Sequence, residues 1–268
     1  MILIDGMPVS SIPADDRSFQ YGDGCFSTIL TIDGQMQHWL YHQQRMEACL
    51  TILQIPYPDW DDVTRWISQV IVAAPKAGIK IHISRGSGGR GYSPNAIPLP
   101  RVTVQSFDYP NHYEALLSDG VRLGICQQRL GHNPLLAGHK HNNRLEQVLL
   151  KAEAERAGCI DAVALDLHDQ VIETTMANLF WFRDNVLHTP DLTLAGVAGV
   201  MRRVVLDIAT QQGIMVNIDH FSVDDMLGAD EVFMTNSILG VAPVVQIQSA
   251  YFVLGERVRD LQKRVNRC

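Results

Sequence analysis

The chain has 268 residues, 46% of them hydrophobic and 19% charged, with a formal net charge of −7 at pH 7. That length allows one large domain or two smaller ones, while the lack of a basic run or a long apolar run argues against nucleic-acid and membrane partners. The cysteines (Cys25, Cys49, Cys126, Cys159 and Cys268) are dispersed without a Cys-x-x-Cys pair, and Met1 to Asp5 enters a strand pattern with no leader, so a reduced, cytoplasmic setting is expected, without zinc knuckle or disulfide framework.

In chain order, Ile2 to Ile4 and Met7 to Val9 flank Asp5-Gly6, a tight hairpin signal. Cys25 to Ile32 and Gln35 to Gln37 flank a second, Asp33-Gly34. Trp39 to Gln54 predicts a helix that Pro56 and Pro58 stop. Arg45 lies on it, and the pattern alone makes it a surface arginine. Asp59 can cap a further helix to about Ala74, and Ile79 to Ser84 alternates as a strand. Arg85-Gly-Ser-Gly-Gly-Arg-Gly-Tyr92 satisfies Gly-x-Gly-x-x-Gly after a strand, but a dinucleotide site needs a helix to begin there. Pro94, Pro98 and Pro100 prohibit one. The loop is then either a flexible turn or a carboxylate grip through Arg85 and Arg90.

Arg101 to Phe107 is a strand, and from Asp108 to Gly120 the apolar periodicity breaks. The expected organisation is a domain over 1–108, a linker over 109–120 and a second domain over 121–268. Val121 to Cys126 opens the second half. Arg144 to Ala157 predicts a helix with Leu145, Val148, Leu149 and Ala152 on one apolar face, ended by Gly158. Strands follow at Ala162 to Asp166, Val171 to Thr174 and Leu179 to Phe182, with turns at His168-Asp169 and Asp184-Asn185. Glu173 stands in the second of these. An isolated Glu in an apolar strand usually faces outward; facing inward, it needs a cationic partner. Leu194 to Arg203, with glycines at 196 and 199, leads into an apolar helix to Gly213. Such a start leaves N–H groups for a phosphate, although a plain helix start is the commoner case. Ile214 to Ile218 is a strand, Ser222 caps a short helix, and Glu231 to Thr235 leads to Asn236-Ser237. A hydroxyl beyond a strand end often binds phosphate in open sheets. Gly255 to Val265 closes the chain as a charged helix.

Only five lysines occur: Lys76, Lys80, Lys140, Lys151 and Lys263. Lys76 follows a proline in a loop, Lys80 reads as a strand residue, and Lys151 and Lys263 lie on polar helix faces. Lys140 alone stands at an element boundary, between two histidines, where a nucleophilic amine could be set in a pocket. Taken by itself it reads as a solvated lysine at a helix start. Taken with Arg45, a glycine-led helix, Ser237 and a Glu173 that faces inward, the set fits pyridoxal phosphate: a lysine for the Schiff base, an acid for the pyridine nitrogen, and N–H groups, a hydroxyl and a cation for the phosphate.

Six segments carry a resemblance across essentially the whole chain. They are Phe19 to Phe26, Ile83 to Ser93, Gly138-His-Lys-His-Asn-Asn-Arg-Leu-Glu-Gln-Val148, Glu173-Thr-Thr-Met-Ala-Asn-Leu-Phe180, Gly196 to Arg202 and Asp230 to Ser237. Together they resemble the fold-type IV pyridoxal phosphate enzymes, and most closely the bacterial aminodeoxychorismate lyases. The resemblance implies an α/β subunit with a small α/β N-terminal domain and a larger pseudo-barrel C-terminal domain, working as a homodimer. It implies pyridoxal 5′-phosphate as cofactor and conversion of 4-amino-4-deoxychorismate to 4-aminobenzoate and pyruvate, in folate biosynthesis. By position, Lys140 looks like the Schiff-base lysine and Glu173 like the partner of the pyridine nitrogen. Arg45, the amides of Val200 and Met201, and Ser237 match the phosphate site. Asn178 matches a residue lining the ring, and Arg90 the loop that meets substrate carboxylate. Two departures count against transamination. Leu145 stands where branched-chain aminotransferases carry a tyrosine, and Phe26 where D-amino-acid aminotransferases do.

Overall fold

The computed structural model describes residues 1–95 and 99–265; Pro98 and Cys268 lie outside the described residues. The chain divides into two compact units. Unit 1 is Met1–Tyr109 with His139–Asn143, and unit 2 is Pro110–Gly138 with the chain from Arg144 on.

Unit 1 contains β1 (Ile2–Ile4), β2 (Met7–Pro8), α1 (Arg17–Tyr21), β3 (Gly24–Ile32), β4 (Gln35–Met36), α2 (Trp39–Leu53), α3 (Trp60–Val70), β5 (Lys76–Ser84) and β6 (Arg101–Asp108). Its sheet has the order β2-β1-β6-β5-β3-β4, and every pairing is antiparallel. Both expected hairpin turns are present, Asp5-Gly6 and Asp33-Gly34, each with both residues in the left-handed region that such turns need. Burial alternates along β3, and Cys25 and Ile29 join Ile79, Ile81, Ile83 and Val104 in one core. Helices α2 and α3 close that core with Met46, Leu50, Val63 and Ile67. Each fully buried isoleucine here contributes about 1.5–3 kcal/mol. Asp59 caps α3 by accepting from Asp61 and Asp62, but the helix ends at Val70, earlier than the sequence suggests. Lys76 opens β5 rather than lying in a loop.

Unit 2 begins with α4 (Tyr113–Asp119), inside the segment expected as a linker, and β7 (Val121–Leu130). It continues through α5 (Leu145–Arg156), β8 (Asp161–Asp166), β9 (Val171–Thr174), β10 (Asn178–Arg183), β11 (Val186–Pro190), α6 (Val200–Gln211) and β12 (Val216–Asp219). It ends with α7 (Val223–Leu227), β13 (Glu231–Asn236), β14 (Gly240–Ile247), β15 (Ala250–Tyr251) and α8 (Glu256–Val265). The sheet order is β12-β11-β10-β13-β14-β7-β8-β9, with β15 paired to β14. Parallel pairs (β11 with β12, β14 with β7, β7 with β8) sit among antiparallel ones. The sheet curls into a half-barrel, so that terminal β9 also packs near β10. One face buries Leu123, Val163, Leu179, Trp181, Val232 and Met234, and α6 and α8 pack on β13.

The expected apolar face of α5 is reversed. Leu145, Val148 and Leu149 are 77%, 59% and 55% exposed, and the buried residues are Leu150 and Ala154. Leu150 and Ala154 are four apart on a neighbouring face, and small Ala154 lets that face approach β7 and β8. Among the described residues, no helix is long and apolar enough to cross a membrane.

Candidate active site

In unit 1, Lys140 lies half-buried in an irregular segment before α5 begins. That segment runs along the start of β3 like a short extra strand. The Lys140 carbonyl accepts from Phe26 N–H at 3.1 Å, and Asn142 N–H donates to the Gly24 carbonyl at 2.9 Å. Asn142 Nδ2 also donates to Ser18 Oγ and to the Ile83 carbonyl. Gly24 permits this approach, because a Cβ there would sit 2.0 Å from the Ile83 carbonyl oxygen and 2.6 Å from Asn142 Nδ2. With its backbone held on both sides, Lys140 places Nζ 4.6 Å above the Phe26 ring.

Arg45 is not the surface arginine that the helical pattern suggests. Its Nε is buried and has no hydrogen-bond partner. Its Nη2 donates to Ser27 Oγ at 2.7 Å, and it forms no ion pair among the described residues. Burial lowers the guanidinium to about 10, so it is a cation at neutral pH. Ser27 Oγ also lies 2.7 Å from His42 Nδ1. Burial first, then the Arg45 cation, His38 and the Lys140 cation, push His42 well below its ordinary range. A neutral His42 fixes the direction of the chain. Arg45 donates to Ser27, Ser27 donates to Nδ1, and the ring proton is on Nε2. Sequence reading missed Ser27 and His42. The spacing His42-x-x-Arg45 puts both on one helix face and was the available signal.

The arginine-glycine loop behaves otherwise. Arg85 donates to Asp23 Oδ2 at 2.8 Å and to the carbonyls of Leu53 and Gln54, so it is committed to the scaffold and is no free carboxylate grip. Arg17 donates to the same Asp23 oxygen at 2.9 Å and to the carbonyls of Gly91 and Tyr92. Arg90 is exposed. Among the described residues, no helix starts at this loop.

In unit 2, Glu173 faces inward, at 5% exposure, because all four residues of β9 are buried. Its Oε2 accepts from Val197 N–H at 3.0 Å and lies 3.5 Å from Asn178 Nδ2. Asn178 is the organising residue of this corner. Its Nδ2 donates to the Val197 carbonyl at 2.8 Å, and its Oδ1 accepts from Gly199 N–H at 3.1 Å. Gly199 precedes α6 and is packed so closely that a Cβ would stand 2.2 Å from Asn178 Oδ1. Helix α6 has no side-chain cap, and its first residues are Val200 and Met201, whose N–H groups the helix itself does not use. Ser237 is half-buried in the turn between β13 and β14.

The structure therefore gathers Lys140 and Arg45 within unit 1, and Glu173, Asn178, Val200 and Met201 within unit 2. The donors suit pyridoxal phosphate. A half-buried guanidinium with no carboxylate partner among the described residues and an uncapped helix N-terminus each favour a phosphate. A buried carboxylate favours a protonated ring nitrogen. The match extends to known proteins. The profile of the amino-transferase class IV family matches residues 24–247, and the chain belongs to that family. Within it, the chain is 54% identical to the aminodeoxychorismate lyase of Vibrio harveyi over 99% of this chain and 100% of that one. The crystal structure of 4-amino-4-deoxychorismate lyase from Pseudomonas aeruginosa superposes with a TM-score of 0.93 at 36% identity, covering 100% of this chain and 98% of the other. A D-alanine aminotransferase from Listeria monocytogenes is 24% identical over 92% of this chain and 86% of its own.

Proposed function

We propose that the protein is a pyridoxal 5′-phosphate-dependent lyase that converts 4-amino-4-deoxychorismate to 4-aminobenzoate and pyruvate, acting in the cytoplasm as a homodimer in folate biosynthesis. The reading rests on the 54% identity to the Vibrio harveyi lyase over nearly the full length of both chains. The two-domain division, with residues 1–108 and 121–268 as its bodies, belongs to the same reading.

Arg45 contributes the cation of the phosphate site, Val200 and Met201 its N–H donors, and Ser237 its hydroxyl. Asn178 fixes the Glu173 carboxylate and the approach to α6, through the contacts at Val197 and Gly199. Glu173 holds a proton on the ring nitrogen. Arg90 meets a substrate carboxylate. When bound, pyridoxal phosphate supplies an electron sink beside the carbon that bears the substrate amine. Lys140 takes the proton from that carbon as a general base. Its Nζ is kept over Phe26, a ring that carries no titratable proton of its own. The enolpyruvyl C–O bond then breaks with its electron pair on oxygen, and the ring becomes aromatic. One proton returns to the methylene carbon of the resulting enolate to give pyruvate. Atoms and electrons balance without an oxidant and without a 2-oxo acid. The apolar residues on α5, Leu145, Val148 and Leu149, are a surface that a second subunit would cover.

The identity to a D-alanine aminotransferase favours one other reading, transamination of a D-amino or branched-chain amino acid with the same cofactor. Incubating the holoprotein with 4-amino-4-deoxychorismate alone separates the two. Equal amounts of 4-aminobenzoate and pyruvate are expected. No product, with amino transfer once an amino acid and a 2-oxo acid are supplied, would move the protein to the aminotransferases.

A further inference from the structure

Away from the residues discussed so far, unit 2 carries a second cluster of chemically capable groups. His132, Asp166 and His168 bring three ligand atoms within 4.8 Å of one another, the one such group among the described residues. His132 Nε2 lies 2.9 Å from Asp166 Oδ2. The His132 and His168 rings meet edge to face with centroids 4.7 Å apart.

The carboxylate is already oriented. Asp166 Oδ1 accepts the N–H groups of His168 and Gln170, each at 2.9 Å, which leaves Oδ2 on the side of His132. Arg129 does not compete for it. Its Nε donates to Asp169 Oδ1 at 2.7 Å, and its Nη1 to the carbonyls of Cys126 and Gln127. Asp166 is buried, His132 half-buried and His168 exposed, so the cluster has a solvent side through which an ion can enter.

We propose that His132, Asp166 and His168 form a binding site for a borderline divalent transition-metal ion of the Zn²⁺ class. Two imidazoles and one carboxylate suit Zn²⁺, Ni²⁺ or Cu²⁺, whereas Mg²⁺ and Ca²⁺ prefer an all-oxygen set. Three protein ligands leave a coordination position for water. The ion cross-links the segment that follows β7 to the turn between β8 and β9. The site is independent of the lyase reading and asks nothing of Lys140 or Glu173.

Calorimetric titration of the purified holoprotein with Zn²⁺, and separately with Mg²⁺, tests it alongside His132→Ala and His168→Ala. The expected result is one Zn²⁺ per chain and no Mg²⁺. In either variant the affinity should fall by more than about tenfold, the smallest loss usual for removing even an outer-sphere partner. Zn²⁺ should raise the melting temperature of the parent and not of His168→Ala, an exposed position whose change spares the fold. Zn²⁺ bound equally by the parent and His168→Ala, or a parent that binds none, would overturn the proposal.

Discussion

Two regions of unit 1 hold shielded arginines, buried in one and half-buried in the other, and treat them in opposite ways. Beside the glycine loop, the Arg17 and Arg85 side chains are 4% and 10% exposed, and both reach Asp23. Backbone carbonyls take up their remaining donors. On α2, Arg45 meets one hydroxyl and leaves Nε unanswered. A buried cation whose partners are complete is scaffold, because its charge and donors are satisfied without help. Arg45 is half-buried, and its shielded, unanswered Nε leaves it open to an anion. The contrast lies in the partner lists alone, since all three are arginines.

The largest effect should come at the lysine that shares unit 1 with Arg45, through chemistry rather than stability. Lys140→Ala should abolish turnover while the melting temperature stays near that of the parent. Near-normal turnover would remove Lys140 from its role. On the complete side, Arg17→Met leaves Asp23 with Arg85 alone and the Gly91 and Tyr92 carbonyls without their donor, and should cost about 1–3 kcal/mol in chemical denaturation. A loss below about 1 kcal/mol would erase the contrast, since that is what an exposed pair is worth. In unit 2, Gly199→Ala forces a Cβ against Asn178 Oδ1 and should cost about 1–3 kcal/mol, as overpacking does. An unchanged denaturation midpoint would mean that the Asn178 corner yields freely.

The smallest effect should appear with pH. His42 is held below its ordinary value of 6.5 by burial first and neighbouring cations next. Below pH 6.5 the unfolded chain therefore binds more protons than the folded one, so stability is full above that pH and declines as pH falls beneath it. His42→Gln should reduce the slope of stability against pH in that range. A slope identical to the parent's would show that His42 is not the group responsible.

Local features were legible in the sequence because their causes are local. The Asp-Gly hairpins, the helix from Trp39 and the strand at Val171–Thr174 stand where turn chemistry and apolar pattern put them. Lys140 stood out through the scarcity of lysine, and the boundary before α5 is where the sequence put it. The direction of Glu173 was not, because β9 is buried on both faces and offers no polar side against which to read it. The commitment of Arg85 was hidden for another reason: its carbonyl partners lie 31 and 32 residues away along the chain. The Ser27–His42 bond spans 15 residues from strand to helix and needs the fold before it exists. Helix α4 hid in a stretch read as a break, since Leu116 and Leu117 only partly bury against the core. The α5 stripe misled because an apolar face can be left outward on a single chain.

Arg45 carries the central claim, that a half-buried cation with a buried, unanswered Nε marks the phosphate site. The direct measurement is the dissociation constant of pyridoxal 5′-phosphate and of phosphate-free pyridoxal for parent and Arg45→Met apoprotein. A charge-assisted contact of about 1.5–3 kcal/mol predicts that the phosphorylated form weakens by roughly tenfold to a hundredfold, with pyridoxal little changed. Equal affinity of both proteins for pyridoxal 5′-phosphate would contradict the account.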